Sequence, residues 1–125
     1  MMSDEYMIII REPEWDYAGS SPAQLEADLA GHKAFQAAVA AAGQRITAGV
    51  PLRAQSEAFR IQPGADGPVY TDGPFGETRE VVTGFYVFTA DTVDQARELA
   101  ALVPTGGWLD VHPVLDMAAA PEAQS

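Results

Sequence analysis

The side chains best suited by type and position to move protons or grip charge are His32, Asp72, Glu77, Arg79, Glu80 and His112. His32 falls three residues after Leu29 and three before Phe35, so helical spacing turns it toward an apolar stripe. An unperturbed imidazole titrates near pH ~6.5, which suits general acid or base work at cellular pH. The plainer reading is a core-facing histidine whose ring nitrogens are satisfied by neighbours. Asp72 precedes Gly73-Pro74, where an aspartate commonly folds a turn by bonding its own backbone. The functional alternative is that Asp72 fixes the tautomer of His32 by accepting its proton, which requires the loop to fold over the first helix. Glu77, Arg79 and Glu80 put two carboxylates and a guanidinium within four residues. Such a cluster either pins a loop by salt bridges or offers paired acids for proton transfer and a planar fork for an acidic ligand. His112 alternates with Val111 and faces away from the core if Val111 is buried.

The elements that must position these residues follow from local signals. Tyr6 to Arg11 is apolar and rich in β-branched residues, the pattern of a central strand covered on both faces or lying at a dimer interface. Ser21-Pro22-Ala23-Gln24 combines an N-cap serine, a proline at the first helical position and a capping-box glutamine, so a helix starts at Pro22. Its stripe of Leu25, Leu29, Phe35, Val39 and Ala42 ends at Gly43, a left-handed cap. Gly31 within it marks a bend or a close contact with another backbone. A short strand is expected over Arg45 to Ala48, interrupted by Gly49 and Pro51. A hairpin follows from Ala54 to Gln62 and Val69 to Thr71, then a long strand from Val81 to Thr89. The N-cap cluster Asp91-Thr92-Val93-Asp94-Gln95 opens a second helix stopped by Pro104, and Trp108 to Val114 reads as a last strand.

This order is the βαββαβ plan of an α+β, ferredoxin-like domain: an antiparallel sheet with both helices on one face. The domain is expected over residues 6–115, with residues 1–5 as an N-terminal tail and 116–125 as a flexible C-terminal tail. In Phe85-Tyr86-Val87-Phe88, bulky apolar groups point to both faces, so the second face needs a cover, and a homodimer packed sheet against sheet is predicted.

Bulk composition narrows the functions. Seven Lys and Arg against eighteen Asp and Glu give a formal charge of −11, which repels phosphate backbones and anionic lipid surfaces, so neither direct nucleic-acid nor membrane binding is expected. The sequence has no cysteine, which removes disulfides, thiolate metal sites and cysteine nucleophiles. The apolar run Met7-Ile8-Ile9-Ile10 is too short for a signal or membrane segment, and a cytoplasmic protein is expected. His32, His112 and a nearby Asp110 or Glu77 would make adequate metal ligands if they converged, but no spacing demands it, and no metal or cofactor is predicted. Gly106-Gly107 leads into a strand, not a helix, and lacks the context of a phosphate loop. Trp15, Tyr17 and Trp108 are aromatic candidates for a pocket wall or for core and dimer contact.

The run Tyr70-Thr71-Asp72-Gly73-Pro74-Phe75-Gly76-Glu77-Thr78-Arg79-Glu80, followed by Gly84-Phe85-Tyr86, resembles the DGPF(A)ETKE signature and GFY strand of the YCII-related DGPF family. Asp94-Gln95-Ala96, Pro104 and Asp110-Val111-His112-Pro113-Val114 resemble that family's second-helix start, helix end and closing strand. The chain departs from the pattern at Gly76, at Arg79 in place of lysine, and at His112 in place of arginine. Neutral imidazole cannot fork onto an anion as guanidinium does, so the last change weakens any inherited anion-binding role. The resemblance implies a dimeric α/β-barrel type of ferredoxin-like fold, a His-Asp pair proposed as catalytic in some members, and a regulatory link to extracytoplasmic-function sigma factors. Two functions of different classes fit: a small-molecule enzyme or binding protein using His32 and Asp72, and a non-catalytic dimeric regulatory module.

Overall fold

The computed structural model describes residues 3–13, 20–73 and 80–118. Strand β1 (Asp4–Pro13) buries Tyr6, Ile8 and Ile10 while Met7 and Ile9 are only half-buried, the period-two pattern of a strand with one sealed face. Helix α1 (Pro22–Ala41) starts at a capping box in which Gln24 N–H donates to Ser21 Oγ at 3.2 Å and Ser21 N–H donates to Gln24 Oε1 at 2.8 Å. It ends in a Schellman arrangement: Gln44 N–H donates to the Val39 carbonyl, Gly43 N–H donates to the Ala40 carbonyl, and Gly43 takes φ +76°.

Strand β2 (Ile46–Pro51) is followed by a short 3-10 turn at Gln55–Glu57 and by a separate two-stranded ribbon of β3 (Phe59–Gln62) and β4 (Val69–Asp72). Strand β5 (Glu80–Ala90), helix α2 (Val93–Ala100) and strand β6 (Trp108–Pro113) complete the fold. The main sheet has the order β2-β5-β1-β6 with every neighbour antiparallel. This α+β arrangement of an antiparallel sheet and two helices matches the ferredoxin-like plan, with the β3–β4 ribbon inserted between β2 and β5.

One core joins the layers. Phe35 and Val39 of α1 and Ala96, Leu99 and Ala100 of α2 pack with Tyr6, Ile8, Ile10 and Phe88, so both helices cover the same face. On the opposite face lie half-buried Met7, Ile9, Phe85 and Val87, together with an Arg11–Asp110 ion pair of 2.7 Å across β1 and β6.

Several local expectations shift. Strand β2 runs through Gly49 and Pro51 because it is an edge strand, where a missing N–H and a missing side chain are tolerated. Gln55–Glu57 coils as a 3-10 turn ahead of β3, where a continuous strand from Ala54 was expected. The sheet-facing line of α1 is Leu25, Asp28, His32, Phe35 and Val39; Leu29, expected on the stripe, is 54% exposed. Gly31 does mark a close approach, but to a side chain: a Cβ there would lie 2.5 Å from the Pro104 ring.

Candidate functional site

Between the sheet and the stretch of α1 from Leu25 to Gln36 lies a cavity of about 490 Å³. Leu25, Asp28, Leu29, His32 and Gln36 line it from the helix; Ile10, Glu12, Thr83, Gly84, Tyr86, Gly49 and Pro51 line it from the sheet. The walls recede for identifiable reasons. Gly84 presents no side chain, and the β1–β5 register slips between Ile10 and Arg11 so that Thr83 is the extra residue of a β-bulge. Bulges re-aim side chains, and here Thr83 Oγ1 donates to Glu12 Oε1 at 2.6 Å. The other Glu12 oxygen accepts from Gly106 N–H at 2.9 Å, which ties β1 to the turn before β6.

His32 is the hub. Its Nδ1 lies 2.7 Å from the Tyr86 hydroxyl, and its Nε2 lies 3.5 Å from Asp28 Oδ2, one helical turn earlier. An ionised carboxylate only accepts, so opposite Asp28 the Nε2 carries the proton, and in the neutral ring Nδ1 then accepts from the Tyr86 hydroxyl. Burial pushes the Tyr86 phenol above its ordinary pKa, opposed by a hydrogen bond from Gln36 and aided by the charge of Asp28, so it remains a donor at neutral pH. Burial also raises the Asp28 carboxyl; the charge of His32 opposes that shift and the charge of Glu12 adds to it.

Tyr86 is held by its neighbours. Its ring centroid lies 4.8 Å from that of Phe35 and 5.7 Å from that of His32. Across the sheet Tyr86 pairs with Gly49, where a Cβ would come within 2.6 Å of the ring. The glycine in this edge strand is therefore the space in which the phenol ring lies.

The profile of the YCII-related domain matches residues 5–117 of the chain. The chain belongs to the YCII-related domain family. No curated protein matches it.

In this YCII-related chain the other sequence candidates lie elsewhere. Asp72 ends β4 on the inserted ribbon, opposite Phe59 and exposed, and among the described residues it does not line the cavity. Beside it Gly73 allows a tight return: its N–H donates to the Ala58 carbonyl at 2.8 Å, and a Cβ would collide with the Gln55 carbonyl oxygen at 2.2 Å. Glu77 and Arg79 lie outside the described residues, as do Phe75, Trp15 and Tyr17. Glu80 opens β5 opposite Pro13. His112 pairs with Met7 on the sheet face away from both helices, while Val111 pairs with buried Ile8. His32 and His112 are thus on opposite sides of the sheet. Among the described residues no three His, Asp or Glu side chains converge as a metal site, and no helix is long and apolar enough to cross a membrane.

Asp28, Tyr86, Glu12 and Gly49 were not singled out from sequence. Two of them carried a signal: Asp28 and His32 stand at i and i+4, and Tyr86 shares its strand face with Phe88.

Proposed function

We propose that the chain is a small-molecule enzyme that moves a proton on a ligand held in the α1 cavity, with His32 as the acid/base group. The observation that carries this reading is the unequal pair of contacts on one imidazole at a cavity wall: 2.7 Å from Nδ1 to Tyr86 and 3.5 Å from Nε2 to Asp28. The short contact orients the ring, and the Asp28 carboxylate favours the proton on Nε2. The long contact leaves that Nε2–H as the group a ligand can reach by entering beside Asp28, so the oriented histidine gives its proton first and takes one back at the same atom. Asp28, and not Asp72, is the carboxylate beside His32 among the described residues. Metabolite profiling tests the reading: the protein is incubated with a cell extract, and small molecules are followed by mass spectrometry beside His32→Gln. At least one compound should be converted by the wild type and spared by the variant. Identical profiles would overturn the catalytic reading.

We further propose that the chain pairs with a second copy in the dimeric barrel manner of its relatives. The half-apolar outer face of the sheet and the exposed Phe59, Ile61 and Tyr70 on one face of the ribbon support it. Sedimentation should give a dimer, and Ile61→Glu with Tyr70→Glu should lower its mass to that of a monomer. The ribbon also supports the rival reading, a regulatory module that docks a protein such as a sigma factor. In that case a stoichiometric partner co-purifies with the His32→Gln protein and is lost with the ribbon variant.

A further inference from the structure

We propose that the α1 cavity is selective for a small amphiphilic amine, an apolar body of several carbons bearing a protonated amino group that pairs with Asp28. This inference rests on the reading of the cavity as the ligand site. The apolar share of the wall comes from Ile10, Leu25, Leu29 and Pro51, enough to shed water from a hydrocarbon body. The polar share is one-sided. Asp28 and Glu12 both line the space, and no Lys or Arg does so among the described residues.

The two carboxylates differ in how they are satisfied. Glu12 is held by Thr83 on one oxygen and by the Gly106 amide on the other. Asp28 meets only the His32 imidazole, at 3.5 Å, among the described residues, so its oxygens retain acceptor capacity at the cavity. A phosphate or carboxylate ligand would meet two like charges, and the His32 imidazole, the lining group able to carry a positive charge, already faces Asp28. A neutral hydroxyl would return one donor to Asp28 for the water it displaces, and no counter-charge. An ammonium group supplies three donors and the opposite charge at that point. Burial raises the Asp28 carboxyl, the charge of His32 opposes the shift and Glu12 adds to it, the direction expected where the counter-charge is incomplete.

Three probes of one length test this: hexylammonium, hexan-1-ol and hexanoate, each titrated into the full chain at pH 7.5 while the histidine ring signals are followed by NMR. Hexylammonium should move the His32 signals with a Kd about tenfold lower than that of hexan-1-ol, hexanoate should bind weakest, and Asp28→Asn should bring the ammonium-to-alcohol ratio close to one. Equal affinity for ammonium and alcohol, or any preference for hexanoate, overturns the amine selectivity while leaving the cavity as a ligand site. If none of the three moves His32, both the selectivity and the site reading fall.

Discussion

Along α1, a closed half toward the C-terminus lays Phe35 and Val39, 0% and 1% exposed, onto the core built around Ile8 and Phe88, whereas an open half, from the N-terminus through His32, presents Asp28 and His32 to a cavity. Both halves face the same sheet and share one stripe. The difference lies beneath them. Under the closed half, β1 and β5 offer large side chains at Ile8 and Phe88; under the open half, β5 offers Gly84 and a bulge at Thr83. Where the strands supply volume the helix seals, and where they supply glycine it leaves room. Polar side chains on the open half are then partly shielded from water yet reachable, the setting in which acid/base groups are commonly tuned.

The sharpest way to break this contrast is to truncate one side chain in each half. Phe35→Ala or Phe88→Ala should lower stability by about 3–5 kcal/mol, and Leu29→Ala by less than about 0.5 kcal/mol, as read from urea unfolding. Equal losses would mean that the open half is packed as tightly as the closed one. The next effect concerns the space under Tyr86. Gly49→Ala should cost about 1–3 kcal/mol through overpacking and should displace the His32 ring signals, because the added methyl occupies the position of the phenol ring. A neutral result would show that Tyr86 does not depend on that glycine.

Smaller still is Tyr86→Phe. Loss of one neutral hydrogen bond should cost about 1 kcal/mol and shift the His32 tautomer balance, visible in the ring nitrogen shifts, while the fold persists. An unchanged tautomer pattern would remove Tyr86 from the site. The smallest effect has the opposite sign. Because the folded-state pKa of Asp28 lies above its ordinary value of 3.8, the folded chain holds that proton more tightly than the unfolded chain. The stabilisation this gives is present at acid pH and is lost as pH rises through the raised value. At neutral pH the ionised Asp28 is therefore a liability, and Asp28→Asn should raise Tm slightly near pH 7, with the gain vanishing below pH 3.8. A lower Tm at pH 7 would mean that the His32 contact outweighs burial.

The parts of this architecture governed by neighbouring residues could be read before any coordinates. Ser21 to Gln24 announces the start of α1 and Gly43 its end, and alternation in Phe85 to Phe88 announces a strand with apolar groups on both faces, because caps and pleats are local rules. What depended on tertiary placement was hidden. The contact between His32 and Tyr86 spans 54 positions, and the passage of β2 through Gly49 and Pro51 depends on the strand lying at an edge. Asp72 attracted attention through its motif, but the β3–β4 register carries it onto the ribbon. Asp28 stands at i−4 from His32, a spacing the sequence does carry, but only the cavity, a tertiary feature, gives that carboxylate a place to act.

The chain's two histidines sit on opposite faces of the sheet, so they form a built-in control. Histidine-labelled protein screened by NMR against a library of small-molecule fragments tests the central claim most directly. Fragments that bind should move the His32 signals and leave those of His112 in place. Fragments that bind while His32 stays still would place the ligand site elsewhere and contradict the account.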